Sequence, residues 1–263
     1  MLLLFLVLGT CLAPVRAQVN ELFINFNTNL LAFSGSASAK TTDLLISKKL
    51  NYSSTEKLYG KRFSPGAGIS LHYSRTFGSN HLGGISVGYE FMKSRTDINR
   101  AIIFYDNGKI DTSDASGKAL FRVQNITMRP FLGHRWTIGR GSLDILGGFD
   151  VSAMLSPYSD LRVMSSSTLY KATRKVTTID LDIRPTVRID LKYQSFGLFL
   201  DYSHGLRNYS QKFILGNSLI AKSRLLRLGI SYRFYKKDFR IIPELSPEEQ
   251  RVRKVKIHRQ RRR

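Results

Sequence analysis

Ser203 stands beside His204, and His72 and Ser74 stand two residues apart; here the chain sets a hydroxyl next to an imidazole. An activated serine needs its base within hydrogen-bond reach, on the same side of the backbone. Adjacent residues of a strand face opposite sides, so Ser203 and His204 do not form such a pair directly. His72 and Ser74 share a face, but the phase of their segment turns both inward, beside a tight turn. His81 and His134 are scattered, without metal-ligand spacing. The chain is therefore read as a non-enzyme with no metal and no cofactor.

The charges on alternate positions carry the other chemistry. From Ile179 to Tyr193 every odd position is apolar, and from Asp180 to Lys192 every even one is charged or Thr. A period of two is a strand with one apolar and one charged face. Strands of soluble domains run about 5–6 residues, whereas a tilted strand crossing a bilayer needs about 9–11. Seven companion segments alternate likewise, among them Ala67–Tyr73, Ile85–Phe91, Ile126–Leu132 and Leu226–Phe234. With lipid outside, their polar faces turn into a barrel. The expected interior set is Glu90, Arg129, Arg135, Asp144, Asp150, Asp180 and Asp182, with Arg184, Arg188, Asp190, Asp201, Arg227 and Arg233. Eight strands leave room for side chains and little else. Buried charges of both signs must pair, so the expectation is a salt-bridge network that fills the lumen; the alternative is a narrow ion path.

Residues 1–17 read as an export signal: Leu2 to Leu8 is apolar, and Val15-Arg16-Ala17 suits cleavage after Ala17. The chain's single cysteine, Cys11, lies inside that segment, so no disulfide framework or thiolate metal site is expected. A rival reading makes Cys11 a lipidated residue. Beyond the signal no apolar run is long enough for a membrane helix. Closed barrels are the other structure that can span lipid, because they pair every backbone group. The net charge of +22 would suggest nucleic acid in a cytosolic chain, but export redirects it to envelope anions, and no nucleic-acid partner is expected.

Three tight turns, at Gly78-Ser79-Asn80, Gly139-Arg140-Gly141 and Gln194-Ser195, alternate with longer loops near 34–61, 97–118, 157–174 and 207–221. Outer-membrane barrels have even strand numbers, short periplasmic turns and longer external loops. The fold class is thus all-β: an eight-stranded antiparallel up-and-down transmembrane β-barrel over residues 18–235. Aromatic residues near strand ends, Tyr73, Phe121, Tyr193, Phe196, Tyr232 and Phe234 among them, suit interfacial belts. Pro130 and Pro185 delete ladder donors inside strands and should sit at bulges or beside unpaired positions.

The closing segment Gly229-Ile230-Ser231-Tyr232-Arg233-Phe234 resembles the terminal strand of bacterial outer-membrane barrels, and residues 20–235 resemble the eight-stranded class that includes the OmpA membrane domain, OmpX and the PorT-like barrels of Bacteroidetes. In many such families the chain stops at that aromatic residue, whereas here it continues to Arg263. The resemblance implies a place in the bacterial outer membrane, loops outside, and a structural or partner-binding role, with protein secretion across that membrane as the PorT-like function. A narrow ion or small-solute pore and a lipid-modifying enzyme are the other readings. Lys40, Lys48, Lys49, Lys57, Lys61 and Arg62 in one loop, and Arg162, Lys171, Arg174 and Lys175 in another, could bridge lipopolysaccharide phosphates. Residues 236–263 read as a disordered periplasmic tail. Its cations Arg251, Arg253, Lys254, Lys256, Arg259, Arg261, Arg262 and Arg263 are suited to cell wall, lipid headgroups or an acidic protein partner, including secretion machinery.

Overall fold

The computed structural model describes residues 17–48, 52–78, 80–165, 167–176, 179–210 and 219–238. β1 (Ala17–Ser34) opens the sheet, and the short strands β2 (Ser38–Ala39), β3 (Thr41–Ser47), β4 (Tyr52–Thr55) and β5 (Tyr59–Gly60) follow. Then come β6 (Arg62–Phe77), β7 (His81–Phe104), β8 (Ile110–Ile138) and β9 (Gly141–Met154). β10 (Tyr158–Ser165) and β11 (Thr168–Lys175) precede β12 (Leu181–Tyr193), β13 (Phe196–His204) and β14 (Lys222–Asp238).

Eight of these strands form a closed ring. β1 pairs antiparallel with β6 on one edge and with β14 on the other, from Val19 opposite Asp238 to Ser34 opposite Lys222. β6, β7, β8, β9, β12, β13 and β14 follow in order, each antiparallel to the last. Closure removes every edge of the ring, so its ladder groups are paired without water. Its surface is inside out. Leu71, Val187, Leu198, Leu228 and Ile230 are each more than half exposed, whereas Glu90, Asp150, Arg184 and Arg227 are fully buried. Lipid is the solvent that stabilises this arrangement, and the ring is a transmembrane β-barrel.

The three tight connections lie at one end. Gly78 and Gly139 adopt φ of 55° and 57°, the left-handed region open to glycine, and Gln194 takes φ of 51° in the third. Both prolines sit where a ladder is interrupted. β12 pairs with β13 only from Thr186 onward, one residue past Pro185. The β8–β9 ladder skips from Met128 to Phe131 across Pro130, without a register shift.

Most of the expected loops are strands. β7 and β8 run 24 and 29 residues and continue as one hairpin beyond the ring, where a loop at 97–118 was expected. A bulge between Ile98 and Arg100 shifts the phase there, which erases simple alternation in the sequence. β10 and β11 extend this hairpin on the β8 side, and β3 and β4 on the β7 side, with β3 parallel to β7. The result is a six-stranded sheet above the barrel mouth, ordered β11-β10-β8-β7-β3-β4. Its inner face is apolar: Leu44, Ile46, Ile98, Ala101, Ala119 and Val163 pack together. β14 runs three residues past the expected barrel end at 235, to Asp238. Residues 1–16 of the expected signal at 1–17 and the tail from 239 onward lie outside the described residues, and Ala17, expected as the last residue of the signal, is the first residue of β1.

Candidate functional site: the filled lumen

Inward side chains build a ladder of ion pairs along the barrel axis. Nearest the tight turns, Glu21 on β1 pairs with Arg135 at 2.8 Å and accepts a hydrogen bond from Arg233 at 2.6 Å. The Arg135 guanidinium lays both prongs on Asp144, each at 2.8 Å, and Lys192 Nζ donates to the same carboxylate at 2.8 Å. Arg188 Nε donates to Asp190 at 2.7 Å and stacks its guanidinium 3.8 Å from the Phe199 ring centre. Such bidentate and stacked contacts suit the planar guanidinium, which a lysine could not replace.

Arg227 is the hub of the middle level. It forks onto Glu90 at 2.7 and 3.0 Å, donates to Asp201 at 2.8 Å and to Ser203 at 2.7 Å, and reaches Asp150. Arg129 lies between Glu90 at 3.5 Å and Asp201 at 3.4 Å. Thr186 and Ser203 hydroxyls each donate to Asp201 at 3.2 Å. Higher still, Arg184 sits 3.3 Å from Asp182 and 3.7 Å from Asp150.

Asp182 joins this ladder to the plug above it, accepting hydrogen bonds from Tyr209 at 2.8 Å and Ser223 at 2.7 Å. Burial, reinforced by the Asp182 charge, pushes the Tyr209 phenol well above its ordinary range, so it stays a donor. Tyr209 packs with Phe33, Tyr59 and Phe121 at ring-centre separations between 4.9 and 6.5 Å. Tyr59 arrives from β5, folded into the mouth, and donates its hydroxyl to the Tyr209 carbonyl at 2.9 Å. Leu31, Met92, Val123, Ile179 and Leu225 complete the seal.

Twelve of the thirteen expected interior charges belong to this ladder; Asp180 does not. It is exposed, because β12 begins only at Leu181 and the alternation does not carry its facing back past the strand end. Phe121, assigned to the aromatic belt, is instead fully buried in the plug. Two members were missed. Lys192 lies on the charged face of β12 already identified, and Glu21 is in phase with the buried Asn25, Asn27 and Asn29 of β1. With them, seven cations (Arg129, Arg135, Arg184, Arg188, Lys192, Arg227, Arg233) meet seven carboxylates (Glu21, Glu90, Asp144, Asp150, Asp182, Asp190, Asp201). Burial of so many charges is sustainable only when they are paired.

Among the described residues the histidines do not assemble a reactive pair. His72 is buried and stacks on Phe131 with ring centres 4.6 Å apart and planes 3° from parallel. It borders a cavity of about 20 Å³, lined also by Ser86, Arg129 and Asp201, which is space for about one water molecule. Ser203 is fully buried in the lumen, and His204 follows it on the opposite face. His81 and His134 meet edge to face at 5.3 Å, with Trp136 beside His134. The eight basic tail residues lie outside the described residues.

No protein-family model and no curated protein matches this chain. Among solved structures it is similar to Neisserial surface protein A at 10% identity, covering 82% of this chain and 99% of that one, with a TM-score of 0.36. It is similar to Ail, the attachment invasion locus protein of Yersinia pestis, at 13% identity over 82% of this chain and 99% of that one, with a TM-score of 0.31. It is also similar to the translocator domain of autotransporter NalP from Neisseria meningitidis, at 10% identity over 86% and 95%, with a TM-score of 0.23. The fold assignment rests on the closed ring and its inside-out surface rather than on these likenesses.

Proposed function

We propose that this chain is a bacterial outer-membrane barrel that serves as a closed anchor, holding the sheet above its mouth for a protein partner. The filled lumen carries this reading: the ion-pair ladder occupies the axis and the Phe33–Tyr59–Phe121–Tyr209 cluster seals the loop end. A water-filled path needs a wider bore than eight strands enclose once their inward side chains are large. The full chain reconstituted in planar bilayers is expected to show no steady conductance; a stable ohmic current from the wild type would replace the anchor by a pore.

Within this reading, the resemblance to PorT-like barrels supports an accessory role in protein secretion across the outer membrane. Deletion of the gene is then expected to retain secreted cargo inside the cell, and unchanged secretion would remove that role. The basic run from Arg251 to Arg263 is assigned to an acidic periplasmic partner. Crosslinkers placed there should capture one defined protein. The reading is non-catalytic, and lipid deacylation that His204→Ala abolished would overturn it.

A further inference from the structure

The barrel's outward face changes character just above the apolar belt, and it carries its larger group of cations on one side. Along β7 the outward positions run Ile85, Val87, Tyr89, Phe91 and then Lys93 and Arg95. Lys93 lies opposite Arg122 on β8, and Arg95 opposite Arg62 on β6. Farther out, Arg162 on β10 has Lys118 of β8 on one flank and Lys171 of β11 on the other. All of these side chains are exposed or half-exposed, and the opposite positions share one face of the sheet.

Like charges directly opposite one another destabilise a sheet. The carboxylates nearby relieve only part of this. Asp97 pairs with Arg62 at 2.5 Å and Arg95 at 2.7 Å, and Asp160 with Arg122 at 2.8 Å. Among the described residues no carboxylate forms an ion pair with Lys93, Lys118, Arg162 or Lys171, although Asp97 stands opposite Lys118 across the β7–β8 ladder; the Lys93 ammonium lies 5.3 Å from the Phe91 ring centre. On the far side of the ring, β12 turns its cations Arg184, Arg188 and Lys192 into the lumen, and β13 contains no Lys or Arg. β14 turns Lys222 and Arg224 outward at the same end, but the larger group of outward cations lies on an arc spanning β6, β7, β8, β10 and β11.

We infer that this arc is a binding site for an anionic lipid whose headgroup carries at least two phosphates, seated against the barrel with its acyl chains along the apolar belt. The lower cations begin one outward position beyond Phe91, about 7 Å along the strand, which is headgroup height for a lipid packed on that belt. The Lys93–Arg122 pair and the Lys118–Arg162–Lys171 row are four residues apart along β8, about 13 Å. One phosphate cannot touch both, so a headgroup with two separated phosphates fits where a monophosphate does not. Strand neighbours about 4.8 Å apart let adjacent cations share one phosphate, and both Lys and Arg do so well. The site rests on the barrel spanning a bilayer and not on the proposed protein partner, so conductance and secretion assays do not bear on it.

The test uses the full chain in neutral detergent micelles and four probes: a bisphosphorylated glycolipid, its monophosphorylated form, phosphatidylglycerol and inorganic phosphate. Wild type is expected to retain the bisphosphorylated lipid through purification and to bind it at least tenfold more tightly than the other three. The variant Lys93→Gln/Lys118→Gln/Arg162→Gln/Lys171→Gln is expected to lose at least tenfold in that affinity while keeping a heat-modifiable gel shift. The charge-preserving variant Lys93→Arg/Lys118→Arg/Arg162→Lys/Lys171→Arg is expected to retain it. Equal binding of all four probes, or wild-type affinity in the folded glutamine variant, would overturn the site.

Discussion

Strands β7 and β8 pass through two regions built on opposite rules. Within the barrel, Glu90 and Asn125 face inward and Tyr89 and Ile126 face outward. A few residues on, in the sheet above the mouth, Ile98 and Ala119 face inward and Arg95 and Lys118 outward. The backbone is the same antiparallel pair throughout. The outward residues change because the solvent changes from lipid to water. The inward residues change because the barrel axis is lined from all sides by polar faces, whereas the upper sheet folds its own apolar face together. The plug of Phe33, Tyr59, Phe121 and Tyr209 is the seam between the two regimes, tied to the lower one by Tyr209 and Asp182.

Four substitutions would break or sharpen this contrast. The largest effect is expected from Arg227→Met, which strands Glu90, Asp150 and Asp201 without their shared cation. Removing one partner of a buried ion pair costs about 3–5 kcal/mol, and urea unfolding in lipid vesicles should register it. Leu228→Arg tests the outer face: a soluble protein would tolerate a cation at so exposed a position, but lipid-facing cations near the bilayer midplane cost about 2–4 kcal/mol. An unchanged unfolding free energy for this variant would mean that the face does not meet lipid. In the upper sheet, Ile98→Val removes one methylene from the apolar core and should cost about 1 kcal/mol. Hydrogen exchange should register it as faster opening of the hairpin beyond the ring, with barrel amides unaffected. Arg100→Ala, which breaks the exposed pair with Asp43, should leave the unfolding midpoint unchanged, because solvent-exposed ion pairs contribute little.

The barrel was legible in the sequence because its signal is local. Ile189, Leu191 and Tyr193 alternate with Arg188, Asp190 and Lys192 within one short window, and such windows recur between the turns at Gly78, Gly139 and Gln194. The same rule failed at its margins. Carried back to Asp180, it placed an exposed residue in the lumen, since alternation does not mark where a strand begins. Between Ile98 and Arg100 the register of the β7–β8 ladder shifts, so a stretch that is hairpin reads as loop. β3 and β4 are short, and the pair joins the sheet through a parallel pairing of β3 with β7 that no local pattern announces.

The amino-acid order by itself determined which residues share a strand face, because successive side chains of an extended chain point to opposite sides. It thereby put charge on one face and apolar groups on the other. Only the tertiary structure decided which charges meet. Arg227 reaches Glu90 across 137 residues, and Glu21 finds Arg233 across 212, because ring closure and register bring their strands to the same height around one axis. Periodicity contains no information about height. Pairing within the lumen therefore becomes definite only when β1 closes on β14 and the eight polar faces are turned toward one another.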